Sequence, residues 1–182
     1  QVVYFTALFS QPIQRLVVSE GLNALEGNSA KGRKIYGQAF FKAKSTNPLY
    51  VKVALSPTGI DAAKQNMATE LHGWDFNKAV ANADAAWNQQ LNKIIVETDN
   101  PEHKKVFYTS LYHTMIAPSV FQDVNGAYMG SDAQVRIDTS FVNYTTFSLW
   151  DTYRAAQPLM SIIHSEKMAD IAATFLNIYK QQ

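Results

Sequence analysis

The periodicity of the chain changes once, at Ser56-Pro57-Thr58-Gly59, and this change limits the folds open to it. Before it, apolar residues come in short β-branched and aromatic runs bounded by turn formers, the pattern of strands. After it, they recur every three or four residues, the pattern of amphipathic helices. Strands grouped first and helices afterwards indicate an α+β chain rather than alternating βαβ units.

In residues 1–57 the predicted strands are Val2–Phe9, Arg15–Val18, Ile35–Ala43 and Leu49–Leu55. The glycine-rich stretch Gly21–Gly32 is a loop or hairpin, and Ser45-Thr46-Asn47-Pro48 separates the last two strands. Such strands fit part of an antiparallel sheet or sandwich. In residues 58–98, Ile60–Leu71 is a predicted helix closed by His72-Gly73. A longer helix, Asp75–Ile95, carries Phe76, Val80, Ala83, Trp87, Leu91 and Ile94 on one stripe. In residues 99–182, Asn100 is an N-cap, Pro101 takes the first helical position and Glu102 places acid in the first turn. That helix runs to about Ala117. Residues 119–146 lose the helical period. Asn125-Gly126 is a two-residue hairpin signal between FQDV and AYMG, and Gln134–Ile137 is a further strand. Helical patterning resumes from Ser148 through Ile163, then from Glu166 to Tyr179, where Met168, Ile171, Phe175 and Ile178 share a face.

Charge and composition remove several function classes. Net charge is +1, and the one basic stretch, KGRK at Lys31–Lys34, is short and broken by glycine. A phosphate-binding footprint is absent, so nucleic acid is not an expected partner. No apolar run approaches the ~18 residues of a membrane span. There is no cysteine, which excludes disulfides, thiolate metal sites and a cysteine nucleophile. His72, His103, His113 and His164 show no paired metal-ligand spacing. Asp123, Asn125 and Asp132 offer oxygen ligands but lack the calcium-loop register, and a hairpin turn explains Asn125-Gly126 better. Trp74 and Trp87 read as structural. The ends look cut from something longer: Gln1 opens directly into VVYFTALF without an initiator Met, and the last helical pattern stops without Gly or Pro.

One segment carries candidate chemistry. With Phe147–Gln157 read as a helix, Trp150, Asp151 and Arg154 lie on one flank, three and four residues apart. Leu149, Tyr153, Ala156, Met160 and Ile163 form a neighbouring apolar stripe, and Ser148 is an N-cap rather than a nucleophile. An aromatic plane packs on the apolar face of a pyranose, and a carboxylate and a guanidinium hold hydroxyl pairs by charge-assisted hydrogen bonds. The same residues also fit an ordinary i,i+3 ion pair beside a core Trp.

The run FVNYTTFSLWDTYRAAQPLM at Phe141–Met160 resembles the bacterial α-mannosidases of glycoside hydrolase family 92. Similar segments occur in order along the chain: LHGWDF at Leu71–Phe76, Ala85-Ala86-Trp87, VFYTSLYHTMIAPSVFQDVNGAY at Val106–Tyr128, and NIYKQ at Asn177–Gln181. The resemblance implies a partial antiparallel β-sandwich (1–57), a helical linker (58–98) and the first helices of an (α/α)6 barrel (99–182). It implies a parent enzyme, secreted or periplasmic, that hydrolyses α-mannosidic bonds in mannose-containing glycans with inversion. Inversion requires two carboxyl groups roughly 6.5–9.5 Å apart. It also implies a calcium ion whose ligands, like the acid and base, lie beyond this chain, in the remainder of the same polypeptide. Trp150, Asp151 and Arg154 are the implied contacts to mannose, and no catalytic acid or base is assigned here. Gln157 stands where the family pattern has His before proline, which bears on specificity if that position touches sugar. Two alternatives stay open: a non-catalytic carbohydrate-binding or interaction module, and a different (α/α)6 carbohydrate-active enzyme.

Overall fold

The computed structural model describes residues 2–42 and 48–182, in two units: one is Ala7–Val53, the other combines the residues up to Thr6 with Ala54–Gln182. The β-branched and aromatic runs form the expected strands. Tyr4–Phe9 (β1) pairs with Val51–Ser56 (β5). Arg15–Glu20 (β2) is the centre of a three-stranded antiparallel sheet. Its neighbours are Asn23–Leu25 (β3) and Ile35–Phe40 (β4). Strand β3 is additional to the sequence reading. Gly21, at φ 58, lets the chain reverse within two residues, and only three residues follow before pairing ends. Arg15 and Phe40 face each other across β2 and β4, with the guanidinium 4.2 Å from the ring centroid. The end of the expected strand at Ala43 and the Ser45-Thr46-Asn47 connection lie outside the described residues.

The second unit begins its helices where the period changes. Ile60–Glu70 (α1) buries Ala63, Asn66 and Met67, three positions of one face. Phe76–Leu91 (α2) starts at Asp75, whose side chain accepts a hydrogen bond from the Lys78 amide at 2.9 Å. Its predicted apolar stripe is largely open: no residue of α2 is buried, and Phe76 is 61% exposed. Pro101–Thr114 (α3) is capped as expected, with Asn100 Oδ1 accepting from the amides of Glu102 and His103. Such a cap is worth about 1 kcal/mol. It ends three residues short of Ala117. Trp87 meets Tyr112 edge-on at 4.6 Å, joining α2 to α3. The Tyr108 hydroxyl donates to the Ile94 carbonyl at 3.1 Å.

Two short ladders follow: Ser119–Val120 (β6) with Tyr144–Thr145 (β9), and Ala127–Met129 (β7) with Val135–Ile137 (β8). The chain does turn at Asn125-Gly126, but FQDV and AYMG are not partners in a ladder. The Gly126 amide donates to Asp123 O at 2.8 Å. Gly126 sits at φ 84, and a Cβ there would come within 2.8 Å of the Asp138 carbonyl oxygen. One backbone bond crosses the turn, from the Asp123 amide to the Ala127 carbonyl at 2.7 Å, and Gln122 ties the preceding segment further. Its Nε2 donates to the carbonyls of Asp138 and Gly126, and its Oε1 accepts from the Asn143 amide.

Three helices close the chain: Leu149–Thr152 (α4), Ala156–Ile163 (α5) and Ser165–Lys180 (α6). Met160, Ile163 and Ile171 bury the contact between α5 and α6. Thr174, fully buried on α6, donates to the Asp170 carbonyl and accepts from the Tyr144 amide, so β9 is held against this helix.

Asp123, only 4% exposed, ties distant segments together. Its Oδ2 accepts from Ser56 Oγ (2.8 Å) and Thr58 Oγ1 (2.5 Å), and its Oδ1 from Asn66 Nδ2 (2.7 Å). Asn66 Oδ1 in turn accepts from the Val124 amide. A buried carboxylate is tolerated because both oxygens are satisfied. Asp123→Ala leaves three donors without their acceptor, and a loss of about 3 kcal/mol is expected in denaturant unfolding. A second group predicts an acid response. Arg136 donates to both oxygens of Asp132 at 2.7 Å and holds its carboxyl at about 2, below the usual 3.8. A depressed folded value means that the contribution is complete above pH 3.8 and is lost as pH falls towards 2. Asp132→Asn should flatten the pH dependence of thermal unfolding between those limits.

Candidate active-site segment

The residues singled out by sequence lie between β9 and α5, and the structure does not set them on one continuous helix. Pro158 explains this. It has no N–H to donate to the Arg154 carbonyl four residues back, and its ring would clash there in a continuous helix. The helical run therefore stops at Thr152 and starts again at Ala156, which leaves Pro158 in the first turn of α5, where no intrahelical donor is needed. Pro158 was the signal in the sequence for this break.

Trp150 and Asp151 share the single turn of α4, while Arg154 lies in the connection after it. Trp150 is 80% exposed. Ser148 stands at the N-cap position without capping through its side chain; its hydroxyl donates to the Asp151 carboxylate instead. The backbone of the turn is closed by Thr152, whose amide and hydroxyl both reach the Ser148 carbonyl. Arg154 Nε donates to the Tyr153 hydroxyl at 2.7 Å, and its guanidinium carbon lies 5.2 Å from that ring. Among the described residues no ion pair joins Asp151 to Arg154. Leu149 and Tyr153 are half exposed, so the apolar stripe is buried only at its far end, Met160 and Ile163. Thr146 precedes the segment at φ 43, a strained value for a β-branched residue.

The segment thus presents an aromatic plane, a carboxylate and a guanidinium on the surface, fixed at both ends. Before it, β9 is held by Thr174 and Phe147 packs against Phe175 at 4.4 Å between centroids; after it, Met160 and Ile163 of α5 are buried. Two concavities lie elsewhere in this unit. One, of about 210 Å³, is lined by Trp87, Gln90, Tyr144, Met160 and His164 among others. The second, of about 600 Å³, has Tyr4, Phe121, Tyr128, Asn143, Asn177 and Gln181 in its wall and no charged side chain. Neither is lined by Trp150, Asp151 or Arg154.

The remaining sequence candidates have structural partners. Asp123 is consumed by three donors and Asp132 by Arg136. Among the described residues no three His, Asp or Glu side chains gather as a cation site would require. The described carboxylates and imidazoles therefore do not by themselves make up a calcium site. His164, whose place in the sequence shows no metal-ligand spacing, is fully buried. Burial holds its imidazole below the ordinary value, with the cations of Lys93 and Lys167 acting in the same direction. Sequence reasoning missed the company it keeps, because Lys93 is some seventy residues away.

The comparisons agree with this architecture. Residues 62–182 match the glycosyl hydrolase family 92 catalytic domain. The α-mannosidase BT3965 of that family, from Bacteroides thetaiotaomicron, superposes with a TM-score of 0.89 at 35% identity, over 99% of this chain and 25% of its own. The inverting mannosidase BT2199 from the same organism, at 23% identity, a TM-score of 0.85 and the same shares of the two chains, supports the fold alone. An uncharacterized secreted glycosidase from Arthroderma benhamiae is 29% identical over 98 residues, which are 50% of this chain and 13% of that protein. The chain therefore spans about a quarter of the length of the solved relatives. No helix among the described residues is long and apolar enough to cross a membrane. A mixed helical and antiparallel fold matching part of the solved mannosidases, and a catalytic-domain match over 62–182, identify this chain as a member of glycosyl hydrolase family 92.

Proposed function

We propose that the polypeptide to which this chain belongs is a secreted or periplasmic α-mannosidase that removes mannose from glycans with inversion and with calcium assistance. The observation that carries the reading is the 35% identity to a family 92 α-mannosidase over 99% of this chain. That enzyme has also been solved with mannoimidazole, which supports a mannose-shaped site in the relative. The secreted relative supports the location.

In this reading, residues 1–57 close the sandwich, 58–98 link, and 99–182 begin the barrel. The Trp150 ring packs on the apolar face of mannose. The Asp151 carboxylate accepts from sugar hydroxyls, with the Ser148 hydroxyl already orienting it. Arg154 donates to a hydroxyl pair through its Nη groups, while its Nε stays on Tyr153. The acid, the base and the calcium ligands come from the rest of the polypeptide, so the 182 residues alone are inactive.

The full-length polypeptide should release mannose from α-mannosides, with the β-anomer appearing first by NMR and with loss of activity in EGTA. Silence towards α-mannosides with calcium present would sink the reading. Asp151→Ala should lower kcat/KM about 10- to 100-fold, the worth of charge-assisted hydrogen bonds, with circular dichroism unchanged. Unaltered kinetics would remove Asp151 from the site.

A further inference from the structure

The corner between α5 and α6 carries a polar cluster that the sugar site does not use. Lys93 follows α2, and its Nζ approaches three acceptors there: the Ile163 carbonyl (2.7 Å), His164 Nδ1 (3.0 Å) and Glu166 Oε1 (2.8 Å). An ammonium has three N–H donors, so this set saturates it. The arrangement requires His164 Nδ1 to offer a lone pair, hence a neutral ring with its proton on Nε2. The three acceptors belong to the last turn of α5, the residue between the helices and the first turn of α6. One lysine therefore fastens the end of the α2 segment to the point where the chain reverses. His164 is 1% exposed and cannot turn to water when its charge changes.

We propose that Lys93, His164 and Glu166 form an acid-sensitive clasp, which holds the α5–α6 corner while His164 is neutral and loosens it when His164 takes a proton. A proton on Nδ1 converts the acceptor into a donor and sets two cations 3.0 Å apart. Lys93 then keeps two of its three bonds. The groups facing the imidazole favour the neutral ring on balance. Lys93 comes from the α2 side; Lys167 on α6 adds a second cation; Tyr144, on β9, shares the cavity wall and carries no charge at these pH values. Glu166 is the opposing carboxylate, 3.4 Å from Nδ1 and already bonded to Lys93. Asp170, a turn further along α6, acts on Tyr144 rather than on the imidazole. Two acid windows separate. His164 is held below 6.5, so its contribution is complete above that pH and declines below it. Glu166, held at about 2 mainly by Lys93, stays charged until far lower pH.

The test is hydrogen–deuterium exchange of the full-length polypeptide, read on peptides covering 156–170 at pH 7.5 and 5.5, after correction for intrinsic amide chemistry. The reporting amides are those of His164 and Lys167, which bond to the Met160 and His164 carbonyls. Wild-type protection should fall about threefold or more, within the limit of about tenfold per pH unit that a single proton imposes. His164→Asn keeps an acceptor near Nδ1 without a titrating ring, and should hold its protection at both pH values. Lys93→Met should lose protection at pH 7.5 and show a smaller acid fall than wild type, since burial and Lys167 still oppose the charged ring while Lys93 no longer does. Flat wild-type protection, or an equal fall in either variant, would overturn the clasp. Should His164→Asn fail to fold, the Lys93→Met comparison decides.

Discussion

A carboxylate withdrawn from water must find hydrogen bonds for both oxygens, and Asp123 takes them from three side chains more than fifty residues away in sequence. This constraint organises the larger unit. Ser56 and Thr58 stand where the last early strand ends, and Asn66 lies nearly two turns into the first helix. With Asp123 as their common acceptor, the switch from strand to helix is anchored to the turn at Asn125-Gly126. The same network removes polar groups that would otherwise be stranded beside Ala63 and Met67. Ser56 contributes twice, since its oxygen also accepts from the Thr58 amide and shapes the approach to α1.

A second level of order is built around α6. Thr174 and Ile171 are nearly inaccessible, and between them they fix β9 and α5. The segment with Trp150, Asp151 and Arg154 is suspended between those two supports. Its own side chains contribute little to the core: Trp150 is almost free of protein contact, and Asp151 is oriented by a neighbouring hydroxyl. Residues that are dispensable for packing and yet placed by rigid flanking elements are suited to meeting a ligand.

Much of this could be read from the sequence where the signal is local. Asn100-Pro101-Glu102 announces the start of a helix, and the start is there. The spacing of Ile171 and its neighbours gives the face of α6. The ordered run of family-like segments is borne out by the family 92 match. What escaped notice depended on distance or on a single overlooked residue. Nothing near Asp123 in sequence tells that Ser56 and Asn66 will satisfy it, so it read as a turn residue or a possible ion ligand. The bond from Gln122 to Asp138, which accompanies the pairing of β7 with β8, is encoded by no periodicity. The stripe on α2 was legible, but its exposure was not, because the pattern cannot say how much of a face is covered. The continuous helix through Arg154 overlooked Pro158, whose effect falls four residues upstream of itself.

That interruption has a consequence for how such a segment can diversify. On an unbroken helix, adding or removing one residue turns everything beyond it by about 100°. Here the stretch between Thr152 and Ala156 is a spacer joining two independently seated helical pieces. Its length can change without rotating the Trp150 and Asp151 turn against the core, and only residues 153–155, Arg154 among them, would be carried to new positions. The break thus makes the reach of one cation adjustable separately from the aromatic platform and its carboxylate.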